Sequence, residues 1–246
     1  MHFLGRPTVG QLLQYLKNNE QDTYRRGRLF ASIGSPRSIV INELSSMVMK
    51  FVSDEWCSLN DSLLLDYGCG VMPYIKAFEL SGAKIVGVDI GKNEYANLRV
   101  GDKDFLPFSN DSFDYLLGIQ VLEHIPIPDF YLSEAYRVLK RGGKMFLTTH
   151  GVWPYHPTPI DYHRWTKQGL IFELENSGFI IKSIHHILND YSASIQNLVT
   201  IMYYRGSLKA FNRQVHSIAY LLIKISEKLV KHEPQTPAVL CFISIK

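Results

Sequence analysis

Three acidic residues and two glycines carry the first chemical signal in this sequence. Leu65-Asp66-Tyr67-Gly68-Cys69-Gly70 places a carboxylate directly before a Gly-x-Gly turn, between a short apolar run and a helix. A sharp turn that also lets a ligand approach the backbone calls for glycine. Pyrophosphate prefers bare N–H groups at a helix start. A carboxylate at Asp66 would repel it and would instead suit a ligand that carries a cationic amino group. The dinucleotide pattern GxGxxG is also broken, because Pro73 stands at its sixth position. Asp89 ends the next apolar run, 21 residues after Gly68. There it can accept two ribose hydroxyls, or serve only as a helix cap. Asp102, after a third run, is placed to accept an adenine amino group. Three carboxylates at three successive strand ends form one pattern.

The second signal is the segment His150-Gly151-Val152-Trp153-Pro154-Tyr155-His156-Pro157-Thr158-Pro159-Ile160-Asp161-Tyr162-His163-Arg164-Trp165-Thr166. It follows the fifth predicted strand, and ligands of open α/β sheets bind beyond the carboxyl ends of strands. Trp153, Tyr155, Tyr162 and Trp165 offer flat apolar faces with polar edges. Transfer of a group to a hydroxyl benefits from a base, and His163, His150 and His124 are the candidates. Asp161 and Arg164 either touch the acceptor or pair to fix the loop, and the Pro and Trp residues either bind or only pack. The spacing of His150, His156 and His163 fits no standard zinc pattern, so no metal is expected. Arg25-Arg26-Gly27-Arg28 is either a solvated basic face or a clamp for an anionic group.

The elements that position these residues read as an alternation. A helix follows Ser35-Pro36, taken as cap and first helical residue, with Val40, Leu44, Met47, Val48 and Phe51 on one face. Strands are predicted at 63–65, 84–89, 98–100, 113–119, 144–149, 179–187 and 239–245. Helices are predicted at 128–140, closed by Gly142-Gly143, at 166–178 and across 191–233. Such alternation gives a mainly parallel, doubly wound sheet. The expected organisation is an N-terminal helical segment at 1–60, a core at 61–190, a helical insertion at 191–236 and a final core strand at 237–246.

Beyond these readings, the sequence resembles a family. Gly101-Asp102-Lys103-Asp104-Phe105-Leu106-Pro107-Phe108, Ser112-Phe113-Asp114-Tyr115, Val121-Leu122-Glu123-His124 and Arg137-Val138-Leu139-Lys140-Arg141-Gly142-Gly143 are similar to segments of class I S-adenosylmethionine (SAM)-dependent methyltransferases. The resemblance covers about residues 61–150 and is nearest to small-molecule enzymes of the ubiquinone and menaquinone biosynthesis type. It implies a Rossmann-like α/β sheet of order 3-2-1-4-5-7-6 with strand 7 antiparallel, and SAM as cofactor. It implies that Asp66, Gly68, Cys69 and Gly70 hold the methionyl end, Asp89 and Ile90 the ribose, and Asp102 and Lys103 the adenine. Gln120 would lie beneath the methionine. Met72 replaces a third glycine of the family and implies a tighter approach there. Met72-Pro73 and Asp161-Tyr162-His163-Arg164-Trp165-Thr166 are similar to methyltransferases of surface-polysaccharide pathways.

Composition sets outer bounds. The chain has 246 residues, 46% hydrophobic, with a net charge of +3, too mild a balance for nucleic-acid binding. Three scattered cysteines form no CxxC pair. No leader-like segment opens the sequence, and no apolar run approaches the roughly 20 residues of a bilayer span. A cytoplasmic setting is the expectation, with peripheral membrane contact as its variant. The 191–233 segment carries Ile218, Leu221, Leu222, Ile225 and Leu229 at helical spacing. Its face would pack on the core, on a second copy, or on a membrane surface with Lys209, Arg213, Lys224, Lys228 and Lys231 toward headgroups. The leading reading is O-methylation of a sugar or glycan-pathway intermediate, with Trp153, Tyr155, Asp161, Tyr162 and Arg164 contacting the acceptor. The alternatives are a quinone or lipid-like acceptor, a non-catalytic SAM-binding protein, and an NAD-linked dehydrogenase disfavoured by Asp66 and Pro73.

Overall fold

A computed structural model describes residues 5–32, 35, 37–101, 103–206 and 212–246. Seven strands form one sheet: β1 (Leu63–Tyr67), β2 (Lys84–Ile90), β3 (Leu98–Val100), β4 (Phe113–Ile119), β5 (Leu139–His150), β6 (Ile180–Ile187) and β7 (Val239–Ile245). Their order is β3-β2-β1-β4-β5-β7-β6. β7 runs antiparallel to both β5 and β6, and the other neighbours are parallel. This is the Rossmann-like order that the resemblance implies.

Alternation along the strands divides the core between the two faces of the sheet. Leu64, Tyr115, Leu117, Phe146 and Cys241 face one way. They pack with Leu12 and Leu16 of α1 (Val9–Asn19), Leu29 of α2 (Thr23–Leu29), Val48 and Phe51 of α3 (Ser38–Asp54), Leu59 of α4 (Trp56–Leu59), and Phe78 of α5 (Ile75–Leu80). Leu65, Leu116, Met145, Leu147, Leu240 and Phe242 face the other way. They meet Tyr131, Leu132 and Ala135 of α6 (Pro128–Val138), and Leu170 and Leu174 of α7 (Lys167–Asn176). Because helices cover both faces, the inner strands read as continuous apolar runs. Helix starts follow local chemistry. Thr8 and Gln11 form a capping box on α1, Pro128 opens α6, and Thr166 caps α7.

Several predicted boundaries are corrected. The helix expected over 128–140 stops at Val138, and Leu139 already pairs with Phe113. Gly142-Gly143 therefore does not close a helix. It lies within β5, where Gly142 has φ +78 and a side chain on Gly143 would meet the Lys140 and Asp114 carbonyls. The helix after Ser35 begins at Ser38, with Arg37 as a cap that makes no side-chain bond. Pro36 lies outside the described residues. The 191–233 segment holds two helices, α8 (Asp190–Tyr204) and α9 (Asn212–Leu229). No helix among the described residues is long and apolar enough to cross a membrane. α9 presents Ile218, Leu221, Leu222, Ile225 and Leu229 as an exposed stripe and turns Ala219 and Ile223 inward. Lys224 pairs with Glu43, and Lys209 and the Arg213 side chain lie outside the described residues.

Candidate active site

The Gly-x-Gly turn leaves β1 at its carboxyl end. Gly68 has φ +85, and an added Cβ would lie 2.5 Å from Val121 Cγ1. Glycine is thus required twice at this position, by conformation and by space. Gly68 and Cys69 both donate to the Val88 carbonyl, at 2.8 and 3.0 Å, which ties the turn to β2. Gly70 has φ +51 with nothing within 4 Å of an added Cβ, so its surface is open to a ligand.

Two carboxylates stand at the strand ends beside this turn, Asp66 two residues before Gly68 in sequence and Asp89 bonded to Gly70 N. Burial and the neighbouring Asp89 charge push the Asp66 carboxyl up to about 7. The Asp89 carboxylate accepts from Gly70 N at 2.9 Å, Ile90 N at 2.8 Å and Asn93 Nδ2 at 2.6 Å. Asn93 Nδ2 also reaches the Gly70 carbonyl at 2.7 Å. Asp89 therefore orders the glycine turn, and Asn93 is a positioning residue that the sequence reading missed. Asp102 lies outside the described residues, and Lys103 is exposed beside it. Ile90, Gly91, Arg99, Val100, Gly101 and Asp104 line a shallow cavity of about 500 Å³ at the ends of β2 and β3. Gln120 has φ +55, and its side chain donates to Thr148 Oγ1 at 3.1 Å.

Met72 corrects an expectation. It adopts the left-handed conformation that favours glycine, with φ +49. Its side chain is buried against β2, where Gly87 leaves it room: a Cβ on Gly87 would meet Met72 Sδ at 2.7 Å. The methionine thus packs under the turn and does not crowd the ligand edge.

Beyond β5, residues 151–166 form a loop that returns to the end of the strand, where the Trp165 amide donates to the His150 carbonyl. Trp153 is only 7% exposed, and its indole stacks on His150 at 4.9 Å and 3°. It is part of the loop's packing, so the expected acceptor face on Trp153 is covered. Tyr155 and Tyr162 are exposed at 65% and 48% and keep free ring faces. Asp161 and Arg164 pair through both guanidinium nitrogens. Asp161 also accepts from His156 N, and Arg164 holds the Trp153, Pro154 and His163 carbonyls. Of the two readings open for this pair, the geometry supports the staple.

The three histidines differ. His124 Nδ1 meets the Ile160 carbonyl at 2.7 Å. His150 is buried, and burial together with the nearby His156 and Arg164 holds it neutral, well below the ordinary histidine range. His163 lies against Trp165, with a buried Nε2 that has no hydrogen-bond partner. Glu123, in the 3₁₀ turn Leu122–His124, was no sequence candidate for chemistry. It is fully buried, accepts from Thr149 Oγ1 at 2.8 Å, and burial raises its carboxyl to about 7. Its backbone carbonyl takes the amides of Tyr162 and His163. In the basic cluster, Arg25 donates to the Val71 carbonyl at 2.7 Å and lies over the Tyr95 ring, while Arg26 caps carbonyls of Lys17 and Glu20. Burial and the adjacent Arg37 guanidinium lower Arg28 from the ordinary arginine value.

Residues 65–147 match the family model described as a methyltransferase domain. A ubiquinone biosynthesis O-methyltransferase of Pseudomonas putida (strain GB-1) is 26% identical over 123 residues, 44% of this chain and 53% of that protein. The chain thus spans about half the length of that curated relative. Among solved structures, a SAM-dependent methyltransferase from Archaeoglobus fulgidus aligns with a TM-score of 0.56 at 17% identity, covering 92% of this chain and 100% of that one. The [4+2]-cyclase SpnF aligns at 0.54 and 17% identity, covering 98% of both chains. These two likenesses bear on the fold alone. Residues 65–147 are thus similar to methyltransferase domains, and they lie within a seven-stranded sheet of Rossmann-like order.

Proposed function

We propose that this chain binds SAM and transfers its methyl group to an oxygen of a small-molecule acceptor. The observation that carries the reading is the pair of carboxylates at the open Gly68–Gly70 turn, buried Asp66 at the end of β1 and Asp89 bonded to Gly70 N. The site fits the cofactor. The buried carboxyl of Asp66 suits an ammonium, Asp89 Oδ1, which among the described residues accepts only from Ile90 N, has a lone pair left for a ribose hydroxyl, and Gly70 leaves the approach clear. When bound, SAM supplies a methyl group on a sulfonium, already activated for displacement. The chain's own work is then to position the acceptor and move one proton. Asp66 and the Gly68–Gly70 turn would hold the amino-acid end of SAM and Asp89 its ribose, and the acceptor oxygen would receive the methyl group and give up its hydroxyl proton in exchange. The hydroxyl proton passes to a base, for which His163 is offered by its unpartnered Nε2, with His150 and His124 as the other candidates.

For the acceptor we favour a sugar or glycan-pathway intermediate, supported by the exposed rings of Tyr155 and Tyr162 and by Arg28 beside Arg37, which suit a phosphate-bearing molecule. A quinone or lipid-like ring is the second reading. It is favoured by the exposed apolar stripe of α9, which would lie on a membrane surface or a second copy of the chain, and by the named activity of the P. putida relative. Calorimetry with S-adenosylhomocysteine and with NAD, followed by methyl transfer to panels of nucleotide sugars and hydroxylated quinones, tests both levels. Binding of NAD alone defeats the cofactor assignment. Turnover of quinones and not sugars replaces the first acceptor by the second. Cofactor binding without turnover on either panel supports a binding protein that does not catalyse.

A further inference from the structure

Among the described residues, one set of histidine and carboxylate side chains converges as cation ligands do: Glu123, His150 and His156, whose ligand atoms all lie within 4.8 Å of one another. We propose that these three residues bind one divalent transition cation of the zinc class and so fasten the 151–166 loop to the sheet. This goes beyond the methyltransferase reading and does not rest on it. The residues come from three places that no sequence spacing links. Glu123 is in the turn after β4, His150 is the last residue of β5, and His156 lies on the 151–166 loop.

The Glu123 carboxylate carries the argument. It is fully buried, Oε2 accepts the Thr149 hydroxyl at 2.8 Å, and Oε1 has no hydrogen-bond partner. An unpaired carboxylate oxygen away from water is costly, and a cation at Oε1 removes that cost. His150 Nε2 stands 3.5 Å from the same oxygen. That is too long for a good hydrogen bond. It is close to the separation of about 3.3 Å between two ligands of a tetrahedral ion bound at roughly 2.0–2.1 Å. The imidazole of His150 is already fixed, parallel to Trp153 and at 81° to the ring of His156. The Thr149 hydroxyl on Oε2 is the kind of outer contact that orients a ligating carboxylate. Two imidazoles and one carboxylate select zinc and its first-row neighbours, whereas magnesium and calcium take oxygen ligands. His156 is half-buried on a loop, so it can close the remaining distance and admit the ion.

The test uses the full chain, stripped with a chelator and titrated with Zn²⁺ by calorimetry and with Co²⁺ by visible absorption. One ion per chain is expected, with the intense cobalt bands of a tetrahedral site. Zinc at a hundredfold excess over its Kd should raise Tm by about 5–10 °C. Loss of outer-shell partners costs 10–100-fold in affinity, so loss of a ligand in His156→Ala or Glu123→Gln should cost about 100-fold or more. Exposed His232→Ala should change nothing. His156→Ala removes a loop side chain outside the core, so it keeps the test decisive if Glu123→Gln fails to fold. Substoichiometric binding overturns the proposal. So does an affinity that His156→Ala leaves unchanged, or one that His232→Ala weakens equally.

Discussion

The role proposed for Asp66 would make cofactor binding depend on pH in a direction that can be worked out beforehand. Its carboxyl is pushed up to about 7, by burial first and then by the charge of Asp89. Tyr74, Tyr131 and Cys69 lie close enough to interact with it, and burial raises all three, so Asp89 is the charge that matters. The ligand's ammonium needs the carboxylate form. At pH 6 only about one chain in ten carries it, and apparent affinity falls by the same fraction. At pH 7.5 about three in four do. An α-amino group titrates near 7.7–8.0, so the ligand itself loses some ammonium at the upper end, and the net gain from pH 6 to pH 7.5 is roughly fivefold. Calorimetry with S-adenosylhomocysteine in buffers of different ionisation enthalpy should also show proton release below pH 7. Asp66→Asn should weaken binding and flatten the profile. The stability sign runs oppositely. An acid whose folded pKa is raised favours the folded state at low pH, and that stability is lost as pH rises from about 4 through about 7. Asp66→Asn should therefore melt higher than the unsubstituted chain at pH 8 without ligand. A flat affinity between pH 6 and 7.5, or an equal slope in Asp66→Asn, refutes the assignment of Asp66 to the ammonium.

Three further outcomes are expected. Asp89→Ala should weaken cofactor binding about tenfold or more, since hydrogen bonds to a charged group contribute roughly 1.5–3 kcal/mol each. An unchanged Kd would leave Asp89 as a fastener of the glycine turn only. His163→Ala should slow methyl transfer by about 10²–10⁴-fold with SAM affinity nearly untouched, as read by steady-state kinetics beside calorimetry; full activity moves the base to His150 or His124. Trp153→Ala should act on folding more than on acceptor KM, costing about 3–5 kcal/mol by denaturant melts, because the indole is buried on His150. A normal melt with a raised KM would restore Trp153 as an acceptor face.

What was legible in the sequence follows from how local each signal is. The strands 98–100, 113–119 and 239–245 fall on β3, β4 and β7 residue for residue, because each is a short, mainly apolar run bounded by turns. The Gly68–Gly70 turn is equally local. The end of α6 was not, because Arg137-Val138-Leu139-Lys140 suits a helix as well as a strand, and a glycine pair after it reads as a cap. Only the pairing of Leu139 with Phe113 across the sheet decides for strand. Loop side chains have no periodicity, so nothing in the 150–166 segment separated the covered Trp153 from the open Tyr155. Glu123 shows the same limit at the site itself. One residue from His124 it looked like part of a helix-leading motif. Its partners are Thr149 and His150, brought beside it only because β4 and β5 are neighbours. The sheet order implied by the resemblance was therefore already enough to place position 123 next to position 150. The missing step was to ask which polar residues at the ends of adjacent strands would meet once buried.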